Sequence, residues 1–313
     1  MTGSIEVIGR MAIPGSGNFD HAAVHLGSGR VFVAHTGADT VDVLDPDAMA
    51  VLATIEGCPG ASGVVCDSEH ELVAAASRSG GFVLLIDAAT LEVRSRISVG
   101  PAPNGVAFDT SRQSLLVADV EACQAILVDT VKSAVVATRP LPGRPRWAVH
   151  DPQTGRFHLN IASPAEVLSL DSESLAPLGA WSVAAEGPHG LDLDPPRRIA
   201  FVACDSGTLV ALDSDHGHEL KRLPLPGTPD VTFFNPVTQE CYVGVGDPGV
   251  LVVADTREWR VSDVFETEPG AHTFAFDSRR QRLHVLLPAS QEALVLACTG
   301  GGQRSNDQLR ARL

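Results

Sequence analysis

Short apolar runs recur along this chain, each ended by a polar residue, at a constant step. TVDVLD, FVLLID, AILVD, VLSLD, LVALD and VLVVAD place Asp45, Asp87, Asp129, Asp171, Asp213 and Asp255 at equal intervals of 42 residues. A seventh run, EALVLAC, brings Ala297 to the next position in the series. A period of about 40–50 residues built from short strands is the mark of propeller blades.

A second series sets the phase. Just ahead of each run like NGVAFD stands a variable residue: Asp20, Ser62, Asn104, Arg146, His189, Asp230 and His272. Five positions on, a turn former recurs at Asp67, Asp109, Asp151, Asp194, Asn235 and Asp277, with His25 as the exception. Asp and Asn bond their own backbone in turns. Each unit therefore predicts four strands, typified by NGVAFD, SLLVAD, TVDVLD and LEVRSRISV. The fold class is all-β: a seven-bladed propeller of four-stranded blades, with blades starting near 20, 62, 104, 146, 189, 230 and 272.

The N-terminal stretch SIEVIGRMAIPGSGN aligns with TLEVRSRISVGPAPN, a fourth strand. The last unit stops after its third. Residues 4–12 are therefore expected to complete the last blade, which removes an open sheet edge. One domain over 1–298 is expected. The polar stretch 299–313, with its Gly-Gly-Gly, is expected to be a disordered tail.

Composition narrows the function classes. The net charge is −15, and Lys132 and Lys221 are the only lysines. Nucleic-acid binding needs a basic footprint, and none stands out here. No run of about 18 apolar residues points to a membrane span. The first residues lack a basic region followed by an apolar core, so the expected compartment is the cytoplasm. The six cysteines form no C-x-x-C pair and read as core residues, with Cys204 nearest the functional face. No nucleophile elbow, H-E-x-x-H, P-loop or dinucleotide fingerprint occurs, so no nucleotide or organic cofactor is indicated.

In a propeller the first strand of each blade lines the central channel. The seven variable positions should thus share one rim, and they are polar and mutually different. Pro103, Pro145, Pro188 and Pro229 stiffen the approaches. Diversified residues on a rigid frame form a binding site. His189, Asp230, His272 and Asp20 are the residue types that hold a divalent metal ion. On the other side Ser62, Asn104 and Arg146, with His21 and His35, would bind the negative group of a small anionic molecule. Second-strand ends add His35, Ser77 and Asp119, and Asp119 would orient Arg146 or act as a general base. The aspartates of the 42-residue series are expected to be turn caps without chemistry. His150, His158, His216 and His218 read as structural or surface residues.

The units HGLDLDPPRRIAFVACDSGTLVALD and NGVAFDTSRQSLLVAD, with second-strand segments FVAHTG, LVADVE, FVACDS and YVGVGD, resemble the YVTN-type seven-bladed propellers of bacteria. That resemblance implies kinship with 6-phosphogluconolactonases and virginiamycin B lyases, the latter using His and carboxylate groups with a divalent cation. It carries no complete catalytic motif. Two readings follow. One is a metal-assisted hydrolase or lyase with His189, His272 and Asp119 as catalytic groups, acting on an anionic substrate. The other is a non-catalytic propeller that binds a ligand or a protein partner.

Overall fold

The computed structural model describes residues 5–299. Twenty-eight strands, β1 to β28 in chain order, form seven four-stranded antiparallel sheets. Six blades take consecutive strands. The seventh joins β26 (Phe274–Asp277), β27 (Arg282–Leu287) and β28 (Glu292–Cys298) to β1 (Ile5–Ala12). The β1–β28 register runs from Ile5 opposite Cys298 to Ala12 opposite Glu292, so the N-terminal strand closes the ring. The expected tail lies, from residue 300 on, outside the described residues. No helix among the described residues is long and apolar enough to cross a membrane.

The period is held by side chains that satisfy turn amides. Asp45 Oδ1 accepts from the amides of Asp47 and Ala48, both at 3.0 Å, and Asp87, Asp171 and Asp213 repeat the arrangement. At the other turn Asp67, Asp151 and Asp277 act likewise. His25 substitutes for them: Ser28 N lies 3.3 Å from its Nδ1. Between blades the middle strands pack apolar faces on each other, and residues such as Phe32, Leu84, Leu115, Phe157, Phe201 and Tyr242 are fully buried.

The inner strands are β2 (Phe19–His25), β6 (Ala61–Asp67), β10 (Pro103–Asp109), β14 (Pro145–Asp151), β18 (Pro188–Asp194), β22 (Pro229–Asn235) and β26. Each of the first six is irregular near its start: the register slips between Phe19 and Ala22, Ala61 and Val64, Pro103 and Val106, Pro145 and Ala148, Pro188 and Gly190, and Pro229 and Thr232. Bulges re-aim side chains and end pairing. The variable residues stand in these bulges. Gly follows several of them because adjacent inner strands come close there: a Cβ on Gly63 would lie 1.8 Å from Asn104 O, and one on Gly105 2.3 Å from Arg146 O.

Candidate functional site at the channel mouth

Six of the seven variable residues converge on one cavity of about 270 Å³: Asp20, Asn104, Arg146, His189, Asp230 and His272. His21 and Trp147 join them from the bulges of β2 and β14. Their rings pack at 4.4 Å between centroids, and Trp147 closes the floor. His272 precedes β26 rather than lying in it, because the inner strand of the last blade starts only at Phe274.

The backbone beneath these residues is fixed from neighbouring blades. Asn160 Nδ2 donates to His189 O at 2.9 Å and to Gly190 O at 3.0 Å. Thr273 Oγ1 donates to Asp20 O at 2.7 Å. Ser62 does the same work and does not reach the cavity. It is fully buried, and its hydroxyl donates to Pro103 O at 3.0 Å, just ahead of Asn104.

The second-strand ends also differ from the expectation. His35 is buried, with Nδ1 2.8 Å from Asp42 Oδ2, and its ring packs on Phe19 behind the cavity wall. Ser77 donates to Pro59 O at 2.7 Å. Asp119 is buried, and its two oxygens accept from the amides of Ala102, Glu121 and Ala122 at 2.8–3.1 Å. It holds a loop and does not pair with Arg146. The residues one step further do face the mouth: Thr36 and Arg78 line the cavity, and Asp205 contacts two of its walls. Successive strand side chains point to opposite faces, so a one-residue offset exchanges core for site. Cys204 is accordingly buried, and burial pushes its thiol up to about 12, so it is inert.

The cavity is a network of opposite charges. Arg78 Nη2 donates to Asp20 Oδ2 at 2.6 Å and to Asn104 Oδ1 at 2.5 Å. Arg146 Nη2 lies 3.5 Å from Asp205 Oδ2, and its Nη1 lies 3.4 Å from His189 Nε2. Asp205 Oδ1 lies 2.8 Å from His189 Nδ1. Asp230 stands between His189 Nε2 at 3.3 Å and His272 Nε2 at 3.6 Å. Arg144, a third guanidinium, reaches the lip from two residues before the variable position, and no carboxylate among the described residues pairs with it. Its pKa is held down, first by burial and then by the charges of Arg146 and Arg78.

His21 and Asp20 form an ion pair at 3.1 Å. Burial works against both charges, but the pairing outweighs it. The Asp20 carboxyl falls well below its usual range, helped by Arg78, and the His21 imidazole rises above its own. Arg78, Arg144 and Arg146 supply three fixed positive groups beside Asp20, Asp205 and Asp230. In a chain of net charge −15, this gathers three guanidinium groups at one mouth.

A metal ion does not fit this arrangement. Among the described residues no group of three or more His, Cys, Asp or Glu side chains is placed to hold one. Asp20 is turned to Arg78 and His21. The Nε2 of His189, a would-be ligand atom, already faces the Arg146 guanidinium, and a fixed cation repels a second one.

No family model matches the chain, and no curated protein matches it. The fold itself is widespread, with 1773 solved chains matching, so the fold does not decide the function. One of them, in the crystal structure of a mitotic checkpoint complex, superposes with a TM-score of 0.82 at 10% identity, over 93% of this chain and 91% of that one. At that identity the likeness carries the propeller fold alone.

Proposed function

We propose that this protein is a non-catalytic binding propeller that holds a small carboxylate- or phosphate-bearing molecule at its channel mouth. The observation that carries this reading is the sharing of one cavity by Arg78, Arg144 and Arg146. Arg144 has no ion-pair partner among the described residues, and the Nε atoms of Arg78 and Arg146 are buried without hydrogen-bond partners. Buried unmet donors are costly, and an anion offers acceptors to all three groups. The Trp147 floor gives the body of the ligand an apolar plate. Asp20, Asp205 and Asp230 stand beside the three guanidinium groups, which suits one small anion rather than a polyanion. The test is calorimetric titration with inorganic phosphate and with citrate. Saturable binding by the wild type, lost in the Arg144→Gln, Arg146→Gln double variant, is expected. Equal binding by both proteins would overturn the proposal.

A second reading rests on one contact. The Asp205 carboxylate orients His189 through Nδ1, which leaves Nε2 toward the cavity, the placement of a general base. Hydrolysis of an ester or lactone panel, abolished by His189→Ala with the fold intact, would favour that reading over simple binding.

A further inference from the structure

Beneath Trp147 the channel widens into a second cavity of about 750 Å³, which reaches the turns of the opposite face at Ser68, Ser111 and Arg279. Its wall repeats with the blades. Three positions beyond the variable residue, Ala23, Val65, Ala107, Val149, Asp192 and Phe233 line it in six of them. Five of these are apolar, and one is a carboxylate. Nothing at the channel mouth uses Asp192.

We propose that this lower channel is a binding site for a molecule with an apolar body and an ammonium group, the ammonium pairing with Asp192. Asp192 faces the cavity from β18, and no cation among the described residues forms an ion pair with it. Its oxygens accept only backbone amides, Phe234 N at 2.7 Å and Leu193 N at 2.8 Å. These two bonds fix the carboxylate without neutralising it, and a carboxylate has room for further donors. Burial first, and then the charge of Asp194, pushes its carboxyl up to about 6 against the pull of the two amides. It is still ionised at neutral pH, as an uncompensated charge in an apolar setting. Such groups cluster at binding sites.

The rest of the wall suits the same ligand. Trp147, Phe233 and Phe276 line the cavity, and ring faces attract an ammonium group. The volume is that of a ligand with two rings rather than of a few waters. The one Arg of the wall, Arg279, stands at the outer turn with Nη1 on Leu26 O at 3.3 Å, where it marks the mouth and not the floor. Trp147 separates this site from the anion cavity above, so the two can be tested apart.

The experiment compares N-benzylphenethylamine with N-benzylphenylacetamide, the neutral amide of similar shape, by calorimetric titration at pH 7.5. The wild type is expected to bind the amine at least about tenfold more tightly than the amide, the scale of a charge-assisted contact. Asp192→Asn should remove that preference and leave amide binding unchanged. Asp192→Val, which installs the residue found at Val65 and Val149, should act alike and guards against misfolding of the first variant. Phosphate binding at the mouth should be the same in all three proteins. Failure of the wild type to bind the amine, equal binding of amine and amide, or a preference that persists in both variants would overturn the proposal. Loss of phosphate binding alone would count against the mouth site and leave this one standing.

Discussion

Asp205 Oδ1 lies 2.8 Å from His189 Nδ1, and the same carboxylate reaches Arg146 Nη2 at 3.5 Å through its other oxygen. Asp205 is the first residue after β19 (Ile199–Cys204), in the blade that carries His189. One acid thus sets the orientation of a histidine on its own blade and restrains an arginine on the blade before.

That double contact predicts a gain. Asparagine at 205 keeps the shape and removes the charge that competes for Arg146. The pair is partly exposed, so its release is worth only about 0.5–1 kcal/mol. Asp205→Asn should therefore bind phosphate or citrate about threefold more tightly. An unchanged or weaker affinity in calorimetry would mean that Asp205 shapes the site rather than competing for it.

Arg146 and Arg144 should behave differently from a pair of surface charges. Lysine keeps the charge of Arg146 but loses the planar fork, and it cannot reach both His189 and a bound anion. Arg146→Lys should weaken anion binding about tenfold while the melting temperature changes by no more than a degree or two. A fall in melting temperature with affinity retained would make Arg146 a structural residue.

The metal reading has its own check. Protein dialysed against a chelator-free buffer after brief exposure to zinc or manganese should retain far less than one equivalent by elemental analysis. The His189→Ala, His272→Ala variant should look the same. One equivalent retained by the wild type and lost by the variant would restore a metal centre at Asp230.

The repeat made the architecture legible. Six aspartates at one interval gave the blades, and the alignment of SIEVIGRMAIPGSGN with a fourth strand gave the closure. The mouth was legible only in part. Asp20, Asn104, Arg146, His189, Asp230 and His272 came from the repeat itself, because each varies while its flanks do not. Arg78, Arg144 and Asp205 were missed for a physical reason. The inner strands bulge, and the second strands hand over to their turns one residue later than the pattern suggests. Ser77 and Cys204 therefore face the core, and Arg78 and Asp205 face the site. The signal was present in Arg78 and Asp205 themselves, charged residues at the same offset in two blades.

Ring closure can be tested by truncation. β1 buries Ile5 and Met11, and Ile13 follows just behind it. At roughly 1.5–3 kcal/mol for each buried side chain, their loss is comparable to the whole stability of an ordinary domain. It also uncovers the outer edge of β28. Deleting residues 1–13 should leave a chain that aggregates or melts far below the full-length protein, as followed by size-exclusion chromatography and circular dichroism. A monomer of unchanged stability would disprove closure.

Two buried histidines make the fold sensitive to acid. The positions 32, 74, 116, 158, 201, 242 and 284 are equivalent in the second strands, and they carry Phe32, Ala74, Leu116, His158, Phe201, Tyr242 and His284. Two blades thus place histidine in a slot of the core that others fill with apolar groups. Both rings are buried, and neither nitrogen of either has a hydrogen-bond partner. His158 packs on Trp181 at 5.0 Å. Burial, as the leading cause, pushes each imidazole down to about 4 from an ordinary 6.5. Between those values the unfolded chain takes up protons that the folded chain refuses. Stability therefore falls as pH drops from about 6.5 to 4, by roughly 3 kcal/mol for each histidine, and the loss levels off below that window. The depressed aspartates add their own loss only below their unfolded value near 3.8, so the two effects separate on the pH axis. His158→Leu and His284→Leu copy the residue at Leu116. The double variant should match or exceed the wild type at pH 7 and should lose little stability on going to pH 4.5. Urea unfolding at both pH values measures this. Equal losses in the wild type and the double variant would show that the acid sensitivity lies elsewhere.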